Sequence, residues 1–254
     1  MPCTPVTVPG HFGEWSKGRL GSDDPLALIT LACPALSARA PGAGLRLPAL
    51  FDAARLDAPD WPALDCDMLP GAGAGASTAC LVASARALGH CGAPGALARA
   101  CLAVEGARDP LAASDRLLWA SRRAEVLRDL PAPPAAEIVG GLWGAAERTD
   151  PWDKDFPDIT DLVEVWAGAA ARDELAAIAG IDTESARRST AHGGPADPMP
   201  DLAHDLGALG YARAHTGPAR ALILAPDRVP DGTGTTLQGA GLRDVLRFRT
   251  GGAA

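Results

Sequence analysis

The sequence predicts an α+β protein of two domains, and three observations carry that prediction. Apolar segments of strand and helix character alternate along the chain instead of forming one class. A glycine-rich run, Pro70-Gly71-Ala72-Gly73-Ala74-Gly75-Ala76-Ser77-Thr78-Ala79, joins a short apolar stretch to a helix-forming one. Pro131-Ala132-Pro133-Pro134 then interrupts the chain, as a linker does, and divides it into residues 1–134 and 135–254. At 254 residues there is enough chain for one large core or two smaller ones.

Taken in order, residues from Thr4 to about Cys33 read as strands, broken by a Gly13-Glu14 turn and by Gly21-Ser22-Asp23-Asp24-Pro25. Leu64 to Leu69 reads as the strand that enters the glycine run, and helical spacing follows through Ala79, Val82, Ala83, Arg86 and Ala87, ending near Gly89. Helices are expected over Pro94–Val104 and Ser114–Leu130, and a strand over Ala135–Val139. Beyond an acidic, proline-punctuated loop, helices are expected at Ile159–Arg172, Asp173–Ala179 and Met199–Leu209. Strands at Ala221–Ala225 and Asp244–Arg249, with a helix at Thr235–Gly241 between them, complete the prediction. No internal repeat of solenoid period is present.

Composition excludes several classes. Apolar residues make up 47% but aromatics only 4%, so the core must be built mainly from Ala, Leu and Val. A net charge of −8 argues against a nucleic-acid partner, which wants a basic stripe. Phosphates on a ligand would then need a local basic group, for which Arg86, Arg99 and Arg108 are candidates. The cysteines (Cys3, Cys33, Cys66, Cys80, Cys91, Cys101) have no zinc-like spacing and read as reduced thiols. No basic, apolar leader stands at the N-terminus and no stretch of 18 apolar residues occurs, so a cytoplasmic protein without a membrane partner is expected. Five aspartates between Asp150 and Asp161 lack EF-hand spacing and read as structural, with Asp158 a helix cap. The histidines His11, His90, His192, His204 and His215 are scattered without ligand spacing.

The glycine run carries the chemistry. Glycine permits positive φ and a close approach of a ligand to the backbone, and the helix that follows offers N–H groups and a positive dipole end to an anion. A P-loop would need a lysine that the run lacks. Gly71-x-Gly73-x-x-Ala76 satisfies a dinucleotide fingerprint, but no Asp or Glu stands between Asp67 and Glu105 to hold a ribose.

The run resembles the phosphate loop of the GHMP small-molecule kinases, P-x-x-G-[LM]-G-[ST]-S-[ST]-A, with Ala74 and Ala76 departing from it. Three further segments agree in order. Pro9-Gly10-His11-Phe12-Gly13-Glu14-Trp15-Ser16-Lys17-Gly18, followed by a strand ending in Cys33-Pro34, resembles the L-threonine kinase branch that serves cobalamin assembly, with Lys17 in place of a glutamine. Glu105-Gly106-Ala107-Arg108-Asp109-Pro110 resembles its E-x-[ST]-D element, and Ala214-His215-Thr216-Gly217-Pro218 its A-H-[ST]-G-[ST] turn. Ser185-Ala186-Arg187-Arg188 also resembles a segment of that branch.

The resemblance implies a ribosomal-protein-S5-domain-2-like N-terminal domain that binds ATP and a ferredoxin-like C-terminal domain. It implies a kinase acting with ATP and Mg²⁺ on the hydroxyl of a small amino acid or amino alcohol. Gly71, Gly73, Gly75, Ala76, Ser77 and Thr78 would hold the nucleotide, Ser77 and Glu105 the Mg²⁺, and Asp109 would orient or deprotonate the hydroxyl. Glu14, Lys17, His215, Thr216 and Gly217 would line the substrate cleft. The departures at Lys17, Ala76, Arg108 and Pro218 leave an alternative: a degenerate relative that binds nucleotide or metabolite without turnover.

Overall fold

The computed structural model describes residues 5–22, 25–45, 61–90, 94–105, 114–147, 150, 152–214 and 216–251. The chain starts with two long antiparallel strands, β1 (Val6–Arg19) and β2 (Leu26–Ala40), followed by β3 (Asp65–Cys66). Two helices follow, α1 (Ala76–Ala87) and α2 (Pro94–Glu105), then strands β4 (Leu117–Ala120), β5 (Glu125–Asp129) and β6 (Ala136–Leu142). The rest comprises α3 (Thr160–Ala171), α4 (Leu175–Ala191), α5 (Met199–Asp205), β7 (Gly210–Arg213), β8 (Ala219–Leu224), α6 (Thr233–Gly239) and β9 (Arg243–Thr250).

The nine strands among the described residues join one sheet in the order β5-β4-β2-β1-β7-β8-β6-β9, with β3 on β2. Strands from before the proline linker form one half and those after it the other. The halves meet where Glu14 of β1 faces Arg213 of β7. One apolar cluster crosses that seam: Phe12, Trp15 and Ile29 from the first half pack with Ile138, Trp166 and Phe248 from the second. A second cluster lies under α1, where Ala79, Val82, Ala83 and Leu97 meet Met68 and Ala74. The small side chains on α1 let it approach β1 and β2 closely.

Several boundaries differ from the sequence prediction. Ser114–Leu130, expected as a helix, is the hairpin β4–β5, because Trp119 pairs with Leu28 of β2 and long-range pairing overrides the helical propensity of the segment. The expected break at Gly13-Glu14 is absent: Gly13 takes φ +82° and absorbs a register shift inside a continuous β1. The helix expected to stop at Ala179 continues as α4 to Ala191, because Gly180 faces open space and costs only propensity. Strand β7 was not anticipated, and α5 ends at Asp205, before Leu209.

In the acidic loop Asp150, Asp153 and Asp158 each accept the backbone N–H two residues on, and Asp158 also accepts the Thr160 hydroxyl. Cys33, Cys66, Cys80 and Cys101 form no disulfide among the described residues; Cys3 and Cys91 lie outside them. Among the described residues no helix is long and apolar enough to cross a membrane.

Candidate functional site

Gly71, Gly73 and Gly75 all take φ +76°, the left-handed region that glycine reaches without strain. The alternation with alanine thus produces a folded loop, and Gly75 is the residue from which α1 starts. No side chain caps that helix end and its first turn carries no acidic residue, an arrangement suited to an anion. Ala76 and Thr78 are buried there and Ser77 is half-buried.

Neighbouring segments hold the loop in place. The His11 N–H donates to the Ala74 carbonyl at 3.1 Å and the Gly13 N–H to the Gly73 carbonyl at 3.4 Å. The turn at Thr216-Gly217 packs from the other side. A Cβ at Gly73 would lie 2.6 Å from Ala214 Cβ, and one at Gly217 would lie 2.9 Å from the Gly71 carbonyl oxygen. Three parts of the chain far apart in sequence, Pro9–Glu14, Gly71–Ser77 and the residues Ala214, Thr216 and Gly217, therefore meet at one place.

Beside the loop lies a cavity of about 290 Å³, between β1, β2, α1 and α2. Its walls are mostly apolar, with Val8, Ala32, Val82 and Leu97 among them, while His11, Thr30, Thr78 and Arg86 supply polar atoms. His11 is buried, its ring against Gly75, and Nδ1 lies 3.3 Å from the Gly13 carbonyl oxygen. Burial lowers its pKa to about 4; the Gly13 carbonyl opposes that shift and the charge of Lys17 adds to it.

Glu14 and Lys17 do not face this cavity. They line a separate void of about 10 Å³ with Asp182, Ser185, Ser189 and Arg213. The Lys17 ammonium lies 5.5 Å from the Phe156 ring centre. Burial, with the Glu14 carboxylate nearby, pushes the Asp182 carboxyl well above the usual range. Burial and the neighbouring Arg220 lower Arg213 to about 10, although Asp197, Tyr211 and Glu14 oppose that shift. Arg220 is fully buried and paired with Asp197 at 2.6 Å, which ties β8 to the segment before α5.

Glu105 is the last residue of α2; its side chain, together with Arg108, Asp109 and His215, lies outside the described residues. Arg86 lines the cavity and Arg99 is exposed on α2. Sequence reasoning missed the placements of His11, Thr30, Asp182 and Arg213. His11 stood inside a recognised motif and offered a signal, whereas Asp182 is an ordinary helical acid until its burial is known.

The loop, in which a Cβ at Gly73 or Gly75 would come within 2.6 Å of a neighbouring atom, and the apolar cavity beside it fit a nucleotide. A metal bound to such phosphates would find the Ser77 hydroxyl in the first turn of α1.

No family model and no curated protein matches the chain. Solved structures do. A homoserine kinase of Listeria monocytogenes superposes with a TM-score of 0.61 at 18% identity, covering 98% of this chain and 97% of its own. Mevalonate kinase of Staphylococcus aureus gives 0.59 at 15% identity, over 99% and 100% of the two chains. Phosphomevalonate kinase of Streptococcus pneumoniae gives 0.60 at 10%, again over 99% and 100%. The protein thus has the α+β fold of the GHMP kinases over nearly its whole length.

Proposed function

We propose that this protein is a small-molecule kinase that uses Mg²⁺-ATP to phosphorylate a metabolite hydroxyl, with L-threonine the favoured substrate and cobalamin assembly its pathway. The observation that carries this reading is the left-handed glycine loop at the start of α1, held between β1 and the Thr216-Gly217 turn. Residues 1–134 form the nucleotide half and 135–254 the other half of the enzyme. Backbone N–H groups from Gly73 to Ser77 receive the phosphates, and Ser77 and Glu105 hold the metal. Bound Mg²⁺ supplies charge neutralisation on the phosphates.

Asp109 orients the attacking hydroxyl, and Glu14, Lys17, His215, Thr216 and Gly217 border the substrate. The Glu14 and Lys17 side chains line the small pocket of about 10 Å³ on the α4 side, with Asp182, Ser185 and Arg213. Phosphoryl transfer through a loose transition state asks mainly for positioning and charge stabilisation, which these groups provide.

The test is ADP release from Mg²⁺-ATP by the purified protein, with L-threonine present and then omitted. Threonine-dependent ADP together with an O-phosphothreonine product is the expected result. Mg²⁺-ATP bound without turnover would move the assignment to another hydroxyl or to a protein that has lost turnover. Absence of nucleotide binding would overturn the kinase reading.

A further inference from the structure

Two buried polar atoms beside the glycine loop have no hydrogen-bond partner among the described residues: His11 Nε2 and Thr30 Oγ1. The residues are 2% and 3% exposed, and both line the 290 Å³ cavity. An unpaired buried polar atom is costly, so two of them on one cavity wall mark where a ligand supplies the missing bonds. Their place is also specific. The His11 ring lies so close to Gly75, where α1 begins, that a Cβ there would stand 2.8 Å from Nε2.

The chemistry of the ring narrows the ligand. The Gly13 carbonyl beside Nδ1 can only accept a hydrogen bond, so Nδ1 carries the proton and Nε2 presents a lone pair. Burial keeps the ring neutral at ordinary pH. Nε2 therefore needs a donor. Ionised phosphate and carboxylate oxygens offer none. A cationic amine would enter near the Lys17 charge felt by the ring, with Arg86 on the same cavity wall. A hydroxyl meets the requirement without a charge, and the Thr30 hydroxyl can donate to its oxygen.

We propose that His11 and Thr30 form a hydroxyl-binding pair, in which a ligand O–H donates to His11 Nε2 and Thr30 Oγ1 donates to the oxygen of that ligand group. The inference rests on the nucleotide reading of the glycine loop. The hydroxyl belongs either to the nucleotide sugar, which adjoins phosphates held at Gly75, or to the alcohol being phosphorylated.

Thr30→Val and His11→Phe test the pair. Thr30→Val keeps the side-chain shape and removes only an unpartnered oxygen, so its thermal stability stays the same or rises while ligand binding falls. A threonine with a purely structural role would not separate those two readouts. Titration calorimetry with Mg²⁺-ADP, and with its 2′-deoxy and 3′-deoxy analogues, reads the sugar. If the sugar is bound, both variants lose about tenfold in affinity, and one deoxy analogue binds wild type with the same loss but binds the variants with no further loss. If the alcohol is bound, Mg²⁺-ADP affinity is unchanged and KM for L-threonine rises about tenfold in both variants.

Unchanged Mg²⁺-ADP affinity, with threonine kinetics unchanged or absent in wild type, overturns the pair. Proton uptake on Mg²⁺-ADP binding at pH 8, read in two buffers, also overturns it by making His11 a phosphate donor. Should wild type itself bind no Mg²⁺-ADP, the nucleotide reading fails and takes this inference with it; failure confined to the variants leaves that reading standing.

Discussion

Asp182 illustrates what single residues do in this molecule. It projects from α4 into the space next to Glu14, is 1% exposed, and has one carboxylate oxygen without a partner among the described residues. Burial raises its folded pKa far above the unfolded value, which is about 3.9. The stability tied to its neutral form is therefore complete below the unfolded pKa and is lost as pH rises through the folded one. Asp182→Asn stays neutral throughout. In urea unfolding it should be more stable than wild type by at least about 1 kcal/mol at pH 8, with a smaller gain at pH 5. An equal difference at both pH values would refute the assignment. The sequence could not signal this residue, because an acid in an amphipathic helix reads as solvated until the strands opposite are placed. His11 was partly legible: its motif marked the neighbourhood, while the direction of its ring depended on the bend at Gly13.

Among the elements, the glycine loop was the most legible, since glycine at alternate positions encodes a backbone that L-residues adopt at a cost of ~1–2 kcal/mol each. Gly73→Ala adds to that strain a 2.6 Å contact with Ala214. It should lower stability by about 1–3 kcal/mol and weaken Mg²⁺-ADP binding at least tenfold. Gly89, at φ +88° but where an added Cβ would meet nothing within 4 Å, is the control. Gly89→Ala should cost about 1 kcal/mol and leave nucleotide affinity alone. Thermal unfolding and calorimetry on the two variants decide whether loop geometry or general stability governs binding. The β4–β5 hairpin shows the opposite limit. Its leucines, alanines and arginines favour a helix locally, yet pairing with β2 draws Trp119 into a buried cluster with Leu28, Ala98 and Ala124. Nothing within the segment announces a partner some ninety residues earlier.

In the whole molecule the two halves share one sheet and one apolar cluster, with Trp15 and Trp166 both in it. Urea unfolding followed by tryptophan fluorescence and by far-UV circular dichroism should give coincident transitions, because neither half can lose its share of that cluster independently. Separated midpoints would show that the halves unfold apart. By itself the sequence determined the α+β class and the left-handed glycine loop at the start of α1, because glycine conformation, helix starts and apolar periodicity are local properties of the chain. Only the tertiary structure decided that Pro9–Glu14 on one side and Ala214, Thr216 and Gly217 on the other close on the glycine loop, that Glu14 and Lys17 turn toward α4, and that His11 and Thr30 face one cavity. Those outcomes depend on which strands pair, and strand pairing is set by burial across the whole sheet, which no short stretch of sequence contains.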